Sequence, residues 1–588
     1  MKRIHASVLI LLFLAACSTT VPQSSEPVRV VIVGTTDVHG WFNGREERGR
    51  DIAAGARYGG VATLASYIDA LRAENGGRVM VVDSGDMFQG TLESNMAEGE
   101  PVVLAYNVAG YAAAAIGNHE FDYGPIGPDV IADTPSEDPL GVLKRNAKLA
   151  KFPFLSANLI DNATGATPAW AKKSTIVDAG GVRIGIIGLS TPDTPLRTIP
   201  ANVKTLTFTD PVEATLATAQ TLRAAGVDAV VVIAHIGGRC RNQHDVNDLA
   251  SCEMNQDAIT YLQSLPPGTI DAYFAGHTHA QMRHFVNGIP ATQGLAFSQE
   301  FSAIDLWIDR KAKRVVRERT DIRPLTMICS QVYAGTDRCD PRNAPAGAVL
   351  VPRIFAGRTI IPDARIEALT KPYLDRVAAK KNEKLGLTVL APFTRIYQRE
   401  SELGNLLTDA LRDFTRAEIA FFNSGGIRAN LRAGDLVYAD IFEVSPFDNY
   451  PAVVMMTGAQ ITEALRASST GGSGVLQVSG LRYVIDEARD ADKPETERNR
   501  LVSATLENGE PLEPARLYKV AMLDFLVVGG DGLSSAMKDI TPDRIMIYQN
   551  RPVRDAIIEA LQKRGRPLQP KIEGRITVLN APQPSRRD

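Results

Sequence analysis

The sequence predicts a layered α/β protein with at least two domains. Apolar, β-branched runs alternate with stretches of helical periodicity along the N-terminal half, a pattern that is typical of α/β layers. The chain has 588 residues, which is too long for one ordinary hydrophobic core. Turns that bear His and Asp follow several of the apolar runs, and functional sites assemble at such strand ends in α/β sheets.

Composition limits the class of protein. Hydrophobic residues make up 44% of the chain and charged residues 22%, which suits a soluble globular body. The formal net charge is -3, so the chain lacks the strongly positive balance of a nucleic-acid binder. We therefore expect no nucleic-acid polymer as a partner.

The N-terminus has the pattern of a bacterial export signal. A positively charged start precedes the apolar segment Val8 to Leu14, which is too short to span a bilayer. The segment ends in Leu14-Ala15-Ala16-Cys17, which resembles a lipobox. We predict a lipoprotein signal peptide over residues 1–16. A plain signal peptide with an incidental cysteine is the alternative.

This interpretation places the protein in the cell envelope. The lipobox resemblance implies cleavage before Cys17 and lipidation of its thiol, with residues 17–27 as a polar tether. The lipid would anchor the protein to a membrane, facing the periplasm. Ser18 at the next position favours the outer membrane.

Four cysteines other than Cys17 form two close pairs. Cys240 and Cys252 flank one polar loop, and Cys329 and Cys339 flank another. Because an exported chain meets an oxidising compartment, we predict two local disulfides. Four cysteines allow three connectivities, so the spacing leaves the pairing open. A zinc site is disfavoured because neither pair has C-x-x-C spacing.

The apolar runs and the polar turns after them follow a regular order. The runs are Val28 to Val33 before Asp37 and His39, Val79 to Val82 before Asp86, Tyr111 to Ile116 before Asn118 and His119, Ile184 to Leu189, Ala229 to Ala234 before His235, and Asp271 to Ala275 before His277 and His279. Helical periodicity covers residues 61–73 and 101–110. Further β structure is expected over residues 300–325.

A helical connector separates this pattern from a second one. Residues 340–360 are rich in Pro, Gly and Ala, and a helix is predicted to begin after Asp363, a suitable N-cap. Pro372 is expected to kink or divide this helix. A second pattern of strands and glycine turns begins near residue 386. The polar, Pro-rich tail from Asn580 is expected to be disordered.

Seven residues in the polar turns have side chains that suit a metal site: Asp37, His39, Asp86, Asn118, His235, His277 and His279. A mixed set of His and carboxylate ligands suits Zn, Mn, Fe or Co better than Mg or Ca. Seven ligands are more than one cation needs and suit two cations that share a carboxylate. Any one of them could be an ordinary turn or core residue, but the set favours metal binding. The remaining His244 and His284 fit no motif and are interpreted as loop or surface histidines.

His119 and Asp122 form a candidate catalytic pair. A His beside a metal ligand can stabilise developing charge or assist a leaving oxygen, and an Asp three residues on can orient its ring. The alternative role for His119 is a further metal ligand or a support behind the ligands.

The motifs together resemble a known family. The order D-x-H, GD, GNHE, H and GHTH resembles the calcineurin-like dinuclear metallophosphoesterases. TTDVHG, SGDMFQGT, IGNHEFDYG and AGHTH look like its 5′-nucleotidase branch. The resemblance implies two divalent transition-metal ions (Zn, Mn, Co or Fe) and a metal-activated hydroxide that attacks phosphorus.

The same resemblance implies roles for single residues. One ion would be held by Asp37, His39 and His279, the other by Asn118, His235 and His277, and Asp86 would bridge the two. His119 and Asp122 would form a catalytic dyad. Many members of this branch have Gln where this chain has His279.

The C-terminal half resembles the 5′-nucleotidase C-terminal domain. Its motifs are Asn423-Ser424-Gly425-Gly426-Ile427-Arg428, Pro446-Phe447-Asp448-Asn449 and Phe525 to Gly532. Ser424 stands where the family has the first Gly of an N-G-G-G-I-R-like turn. The resemblance implies a nucleobase sandwiched by Phe447 and Phe525 and ribose hydroxyls bound by Asp531. The full implied substrate-binding set is Arg395, Arg399, Asn423, Gly425, Arg428, Phe447, Phe525 and Asp531.

These expectations combine into one architecture. The resemblance implies an N-terminal metallophosphoesterase β-sandwich flanked by helices over residues 28–340 and a connector with a helix over 341–385. A C-terminal α/β nucleotide-binding domain would follow over 386–579, and a disordered tail over 580–588.

The implied function is an exported, metal-dependent phosphohydrolase that releases phosphate from 5′-nucleotides, with UDP-sugars as further candidate substrates. One alternative is a 2′,3′-cyclic-nucleotide 2′-phosphodiesterase with 3′-nucleotidase activity. A sulfur-compound hydrolase of similar fold is a weaker rival, because the nucleoside-binding motifs are intact. An alternative of another class is a non-catalytic, nucleotide-binding envelope lipoprotein.

Overall fold

The computed structural model describes residues 26–46, 57–127, 130–132, 134, 136–341, 344, 347, 349–469, 474–490, 493, 498–548 and 551–580. The predicted signal peptide, Cys17 and nearly all of the tether lie outside the described residues, as do residues 581–588 of the predicted tail. No helix in the described part of the chain has both the length and the apolar character that crossing a bilayer requires.

The N-terminal half alternates strands with helices, as predicted. Its strands are β1 (Val28–Thr35), β2 (Arg45–Glu46), β3 (Arg57–Tyr58), β4 (Val79–Asp83), β5 (Ala113–Ala115), β6 (Phe154–Leu155), β7 (Leu159–Asp161), β8 (Ser174–Asp178), β9 (Arg183–Leu189), β10 (Leu206–Phe208), β11 (Ala229–Ala234), β12 (Ala272–Phe274), β13 (Met282–Val286), β14 (Ile289–Gln293), β15 (Glu300–Asp309), β16 (Arg314–Val315), β17 (Asp321–Ile322), β18 (Thr326–Met327), β19 (Gln331–Tyr333), β20 (Leu350–Pro352), β21 (Ile354–Phe355) and β22 (Arg358–Thr359). Its helices are α1 (Val61–Glu74), α2 (Leu92–Asn95), α3 (Glu100–Ala109), α4 (Gly141–Leu149), α5 (Thr194–Arg197), α6 (Pro200–Val203), α7 (Pro211–Ala224), α8 (Asp257–Ser264) and α9 (Ala364–Lys381).

Two sheets form a sandwich in this half. One has the strand order β16-β15-β1-β4-β5-β6, with β17 and β18 pairing with β15, and the other has the order β13-β14-β12-β11-β9-β8. Because side chains alternate along a strand, Ile32 points into a core shared with Ile186 of the second sheet, while Val33 packs on the opposite face. That outer face is covered by α1 and α3, and α7 and α8 cover the other sheet. The predicted helix-flanked β-sandwich is confirmed.

The strand register places the polar turns side by side. β1 and β4 are parallel, with Thr35 opposite Asp83, so both strands end at the same edge of the sheet. The following turns are then joined by backbone hydrogen bonds: the N–H of Asp37 donates to the carbonyl of Gly85 at 2.9 Å, and the N–H of His39 donates to that of Asp86 at 2.9 Å.

The connector helix α9 begins at the predicted N-cap and is not divided. The Asp363 carboxylate accepts the N–H of Arg365 at 2.8 Å. The helix continues across Pro372, so the expectation of a kink or a division is wrong for the division and stays a prediction for the kink. Packing on both sides holds the helix together, because Thr370 is buried before the proline and Tyr373 donates to the Glu100 carboxylate at 2.9 Å after it.

The C-terminal half forms a smaller α/β unit. Its strands are β23 (Lys384–Val389), β24 (Ile419–Asn423), β25 (Gly434–Val437), β26 (Pro451–Thr457), β27 (Leu476–Ser479), β28 (Leu481–Asp486), β29 (Leu501–Leu506), β30 (Leu517–Leu523), β31 (Ile545–Ile547) and β32 (Ile576–Leu579). Its helices are α10 (Glu402–Thr415), α11 (Tyr438–Val444), α12 (Gly458–Ser468), α13 (Asp524–Val527), α14 (Ser534–Met537) and α15 (Val553–Arg564). The main sheet has the order β27-β24-β30-β26-β31, and α10 packs the stripe Leu403, Leu407 and Leu411 into one core with it.

Both predicted disulfides are present. Cys240 bonds to Cys252, and Cys329 bonds to Cys339. These bonds resolve the connectivity that the spacing left open. They also take up the sulfur atoms of the Cys240, Cys252 and His284 cluster, the one place where a cysteine metal site could form in the described residues.

His284 corrects one interpretation of the sequence. It is a fully buried residue of β13, whereas the sequence favoured a loop or surface position. The alternation of buried and half-buried residues along the strand turns its ring inward, toward the Ser251 hydroxyl at 3.4 Å. His244 is exposed, as expected.

Candidate metal centre and substrate cleft

The candidate ligands lie on strained turns. Five of the seven have positive φ although none is glycine: Asp37 (49°), His39 (49°), Asp86 (58°), His277 (81°) and His279 (52°). A left-handed backbone costs free energy for such residues, and strain of this kind clusters at functional sites. The turns hold unfavourable conformations that bring these side chains together.

The side chains converge into two clusters that share one carboxylate. Asp37, His39, Asp86 and His279 form one group, and Asp86, His235 and His277 form the other. Within each group the ligand atoms lie within 4.8 Å of one another. The Asp86 Oδ2 is 3.6 Å from the His39 Nε2 and 3.0 Å from the His235 Nε2. The structure therefore brings together the same sets that the resemblance implied, with Asp86 common to both.

Asn118 completes the second group, and its orientation is determined. Its Nδ2 donates to the carbonyl of Arg197 at 3.1 Å, so its Oδ1 faces the His235 Nε2 at 3.1 Å. Arg197 is itself paired with Asp193, with the Nε and Oδ2 atoms 2.7 Å apart. The sequence analysis missed both residues, because Thr191-Pro-Asp-Thr-Pro-Leu-Arg197 carries no recognisable ligand pattern.

Burial gives the clusters the electrostatics of a cation site. Asp37 and Asp86 are at most 1% exposed, and buried carboxylates require positive partners. Burial lowers the pKa of His39 well below its usual value despite the opposing Asp86. Burial likewise lowers the pKa of His277 to about 4, although the nearby Asp193 carboxylate acts to raise it. These imidazoles keep a free lone pair at neutral pH, as metal ligands must.

His235 differs from the other imidazoles. Burial would lower its pKa, but the adjacent Asp86 raises it to about 10. The pKa of Asp86 is correspondingly held well below normal, since His235 and His119 overcome the effect of burial. A divalent cation held by Asp86 would compete with the His235 proton for the same position.

Backbone carbonyls orient the ligand imidazoles. The His39 Nδ1 lies 2.8 Å from the carbonyl oxygen of Gln89, and the His235 Nδ1 lies 2.9 Å from that of Ser84. These contacts place the proton on Nδ1 and turn Nε2 toward the cluster, as is usual for metal-binding histidines.

Glu120 supports the loop of the shared carboxylate. Its side chain accepts the N–H groups of Asp86 at 2.8 Å, Met87 at 2.7 Å and Gly117 at 2.7 Å. Glu120 is the last residue of the GNHE motif, and its role was not predicted from the sequence. The signal was available, because a carboxylate next to His119 in a tight turn can receive backbone donors.

The candidate dyad is formed. The His119 Nδ1 is 2.6 Å from the Asp122 Oδ2, and the other oxygen of Asp122 accepts the Thr198 hydroxyl at 2.8 Å. Burial would lower the pKa of His119, but Asp122 and Asp86 raise it above the usual value. The ring therefore holds a proton beside the ligand clusters.

Residues of the C-terminal half reach this centre. The Arg428 Nη2 lies 3.3 Å from the His39 Nε2, and its guanidinium lies over the Phe447 ring at 5.7 Å. The Phe447 ring centroid is 5.5 Å from that of His119. Of the predicted substrate-binding residues, Arg428 and Phe447 are thus brought to the metal cluster.

The other predicted substrate-binding residues make contacts within the C-terminal half. The Asn423 Nδ2 donates to the Asp531 Oδ2 at 2.6 Å, and the Gly425 carbonyl accepts from Arg428 at 3.4 Å. Phe525 stacks closely on Gly530, where an added Cβ would lie 2.4 Å from the ring. No contact joins Phe525 to Phe447 within the described residues, so a sandwich would need a ligand between them.

Arg395 and Arg399 occupy different environments. Arg395 lies 4.8 Å from the Tyr397 ring and donates to the Ile427 carbonyl at 3.4 Å, beside the glycine turn. The Arg399 side chain is exposed. Burial would raise the pKa of Tyr397, but Arg428 and Arg395 lower it, so this phenol lies near the positive charge of both arginines. The sequence analysis did not single out Tyr397.

Comparison with protein families and solved structures gives concordant matches. The model for calcineurin-like phosphoesterases matches residues 30–281, and the model for the 5′-nucleotidase C-terminal domain matches residues 380–539. Cell wall protein Lmo0130 of Listeria monocytogenes is 27% identical over 555 residues, which cover 88% of this chain and 66% of that protein. A 5′-nucleotidase of Vibrio cholerae is 26% identical over 568 residues, which cover 90% of each chain.

Among solved structures, a 5′-nucleotidase precursor from Thermus thermophilus has a TM-score of 0.72 with this chain. It is 24% identical, and the match covers 94% of this chain and all of that one. Both halves of the chain therefore share the fold of that protein.

Proposed function

We propose a substrate and a mechanism from one premise: the chain belongs to the calcineurin-like phosphoesterases that carry a 5′-nucleotidase C-terminal domain. It is a hydrolase of the 5′-nucleotidase type. The proposed reaction is release of phosphate from 5′-nucleotides at the Asp86 clusters. The observation that supports it best is that two residues of the nucleotidase domain lie beside the centre of the phosphoesterase domain: Arg428 is next to the candidate ligand His39, and Phe447 is next to His119 of the dyad.

Two divalent cations fit the donor set. The buried carboxylates, the four imidazoles and one amide oxygen suit a pair of transition-metal ions. Asp37, His39 and His279 would hold one ion, Asn118, His235 and His277 the other, and Asp86 both. When bound, such a pair supplies a water of lowered pKa and neutralises phosphate charge.

The side chains of the protein have the remaining roles. Arg428 presents a planar guanidinium beside the clusters, suited to two oxygens of the substrate phosphate. His119, protonated and oriented by Asp122, would give its Nε2 proton to the leaving 5′ oxygen of the nucleoside. Asp122 would stabilise the positive ring before this transfer, and the neutral ring left afterwards would take up a new proton from solvent.

The C-terminal half would select the nucleoside. Phe447 and Phe525 would stack on the two faces of a base. Stacking of this kind accepts different bases, because it needs no specific hydrogen bonds. The Asn423–Asp531 pair offers an acceptor for ribose hydroxyls. Arg395 would add positive charge near the turn at Gly425, and the exposed Arg399 could act only on a part of the substrate that extends toward solvent. UDP-sugars also carry a nucleoside, uridine, which the same residues could bind, so they remain candidate substrates.

We also propose export and lipid anchoring through Cys17. Two disulfides favour an oxidising compartment, and the Leu14 to Cys17 pattern precedes a polar stretch. Metabolic labelling with a palmitate analogue should mark the full chain in a bacterial host and should not mark Cys17→Ser. Labelling of both, or of neither, would rule out lipidation at this residue.

Phosphate release tests the proposed reaction. The chain from Ser18, with 5′-AMP, 3′-AMP, 2′,3′-cyclic AMP and UDP-glucose, should be assayed with Mn, Co or Zn, with and without chelator. We expect chelator-sensitive release that is greatest for 5′-AMP. Preference for 3′-AMP or the cyclic nucleotide would favour the alternative specificity, and inactivity on all four with metal bound would favour a binding protein.

A further inference from the structure

Asn95 occupies the end of the short helix α2, directly after the loop of the shared ligand Asp86. Its side chain is 8% exposed, and it is neither a candidate metal ligand nor a substrate-binding residue. Thr91 caps the helix by accepting the N–H of Ser94, so the position of Asn95 relative to the loop is well determined.

One end of the Asn95 amide holds the two loops of the reaction centre. Its Oδ1 accepts the N–H of Gly90 at 2.9 Å and the Tyr123 hydroxyl at 3.1 Å. Gly90 follows Gln89, whose carbonyl orients His39. Tyr123 follows Asp122 of the dyad. A single oxygen thereby joins the metal-ligand loop to the dyad loop.

The other end of the amide crosses to the C-terminal half. The Asn95 Nδ2 donates to the carbonyl of Pro446 at 2.9 Å, across 351 positions of the chain. Pro446 immediately precedes Phe447, whose ring lies against His119. The orientation of the amide is unambiguous, because Oδ1 faces two donors and Nδ2 faces an acceptor.

A second side chain of α2 makes a parallel connection. Glu93 is buried and forms an ion pair with Lys381 at the end of α9. The same short helix therefore contacts both the connector and the Phe447 loop. Glu93 holds α2 to the connector helix, whereas Asn95 reaches the C-terminal half and also touches the loops of the reaction centre.

We propose that Asn95 is a positioning residue that sets the Phe447 loop relative to His119 and the metal ligands. This inference rests on the proposed function. It adds to that function a side chain that links the metal-ligand and dyad loops to the Phe447 loop of the C-terminal half. Asn95 does not touch substrate. It acts through Phe447, so its loss weakens reactions of substrates that carry a nucleoside more than reactions of small phosphoesters, which need only the metal-ligand half.

The variant Asn95→Asp isolates the contact between the halves. A carboxylate keeps an oxygen acceptor for Gly90 and Tyr123, but it replaces the donor to Pro446 with a second oxygen that repels the carbonyl. For 5′-AMP we expect kcat/KM to fall about tenfold or more, chiefly through KM, with two metals retained per chain. For p-nitrophenyl phosphate we expect a change of less than about threefold. Asn95→Ala, which loses all three bonds, should lower both activities.

Asn107→Asp is a matched control. Asn107 also donates from Nδ2 to a carbonyl, that of Leu149 at 3.0 Å, and accepts the N–H of Lys151 at 2.6 Å. All of its partners lie in the N-terminal half, away from the metal ligands. This variant should leave the ratio of the two activities unchanged.

Hydrogen–deuterium exchange supplies a readout that needs no activity. In Asn95→Asp, two hydrogen-bonded amides that hold this loop should exchange faster than in the parent: that of Tyr450, which donates to the Asp524 carboxylate at 3.0 Å, and that of Val553, which donates to the Asn449 carbonyl at 2.8 Å. The amides of β1 and β24 should stay as protected. Unchanged exchange in this loop would overturn the proposal, even if the parent released no phosphate from any nucleotide. Equal losses for 5′-AMP and p-nitrophenyl phosphate in Asn95→Asp would overturn it as well. Inactivity of the parent on nucleotides, with faster loop exchange in the variant, would reject the proposed function and retain the positioning role.

Discussion

The Arg428 Nη2 lies 3.3 Å from the Nε2 of His39, although the two residues are 389 positions apart. This contact joins the glycine turn of the C-terminal half to a candidate metal ligand of the N-terminal half. The same guanidinium lies over Phe447. Under the proposed roles, Arg428 would contact the substrate phosphate beside His39 and would also adjoin Phe447, the proposed base-stacking ring, so this one residue would link chemistry to nucleoside selection.

Replacement of Arg428 by Lys should weaken nucleotide binding without loss of metal. Lys keeps the charge but loses the planar fork and the stacking on Phe447. Hydrogen bonds to charged groups contribute about 1.5–3 kcal/mol, so KM for 5′-AMP should rise about 10–100-fold. Steady-state kinetics measure this change, with Arg416→Lys on the exposed end of α10 as the control. An unchanged KM would remove Arg428 from the binding site.

Replacement of Asp86 by Asn should cost bound metal. A neutral amide cannot supply the shared negative oxygen that both clusters use. Elemental analysis after dialysis should give fewer than two ions per chain, and activity should fall with metal content. Asp228→Asn is the control, because Asp228 is a buried carboxylate just before the start of β11, at the opposite end of that strand from His235. Two ions per chain in Asp86→Asn would contradict its bridging role.

Replacement of His119 by Asn should slow catalysis and leave metal content intact. Loss of the proton donor should lower kcat for 5′-AMP by about 10²–10⁴-fold. The loss should be much smaller for p-nitrophenyl phosphate, whose leaving oxygen needs little help from an acid. Comparison of the two substrates is the measurement. Equal losses on both would show that His119 acts on the phosphate and does not protonate the leaving group.

Asp83 should make stability depend on pH. Burial raises the pKa of Asp83, and hydrogen bonds from the Thr35 and Tyr106 hydroxyls offset only part of this effect, so the net pKa is about 7. The folded protein therefore binds a proton that the unfolded chain releases above about pH 4, so this contribution to stability is present at low pH and is lost as pH rises through about 7.

Urea denaturation at pH 5 and pH 8 measures this effect. The parent should lose more unfolding free energy between the two pH values than Asp83→Asn, which cannot ionise. Other groups titrate equally in both proteins, so the difference isolates Asp83. Asp69→Asn, at an exposed position of α1, should behave as the parent does. An identical pH dependence in parent and Asp83→Asn would contradict the prediction.

The Cys329–Cys339 disulfide should contribute stability without affecting catalysis. It closes a loop of 10 residues, for which the chain-entropy estimate is about 2–3 kcal/mol. The double variant Cys329→Ser, Cys339→Ser should lose about this much unfolding free energy and keep kcat/KM for 5′-AMP. The Cys240–Cys252 bond lies closer to the candidate metal ligands, because the Cys240 N–H donates to the carbonyl of Gln281, two residues after His279. Its removal is therefore a poorer test of stability alone. Loss of activity in the Cys329→Ser, Cys339→Ser variant would contradict the prediction that this disulfide stabilises the fold without affecting catalysis.

Local patterns predicted most of the N-terminal elements. β1, β4, β9 and β11 agree with their apolar runs to within two residues, and α1 and α3 agree with the helical periodicity. These patterns are reliable because a buried strand must be apolar along its length, whatever its neighbours are. The pattern failed for His284, where strand alternation turned a polar ring into the core. At Pro372 the helix is not divided, whereas the alternative expectation of a kink stays a prediction.

The sequence alone determined the chemistry of the candidate site: seven side chains of the right types, each directly after an apolar run, and a His and an Asp three residues apart. Their convergence is a consequence of strand register, since parallel β1 and β4 must end together. Only the tertiary structure decided the contacts of Arg428 with His39, of Asn95 with Pro446 and of Glu120 with three backbone donors. These contacts join elements whose relative position depends on the packing of the whole molecule, and short-range patterns carry no record of that packing.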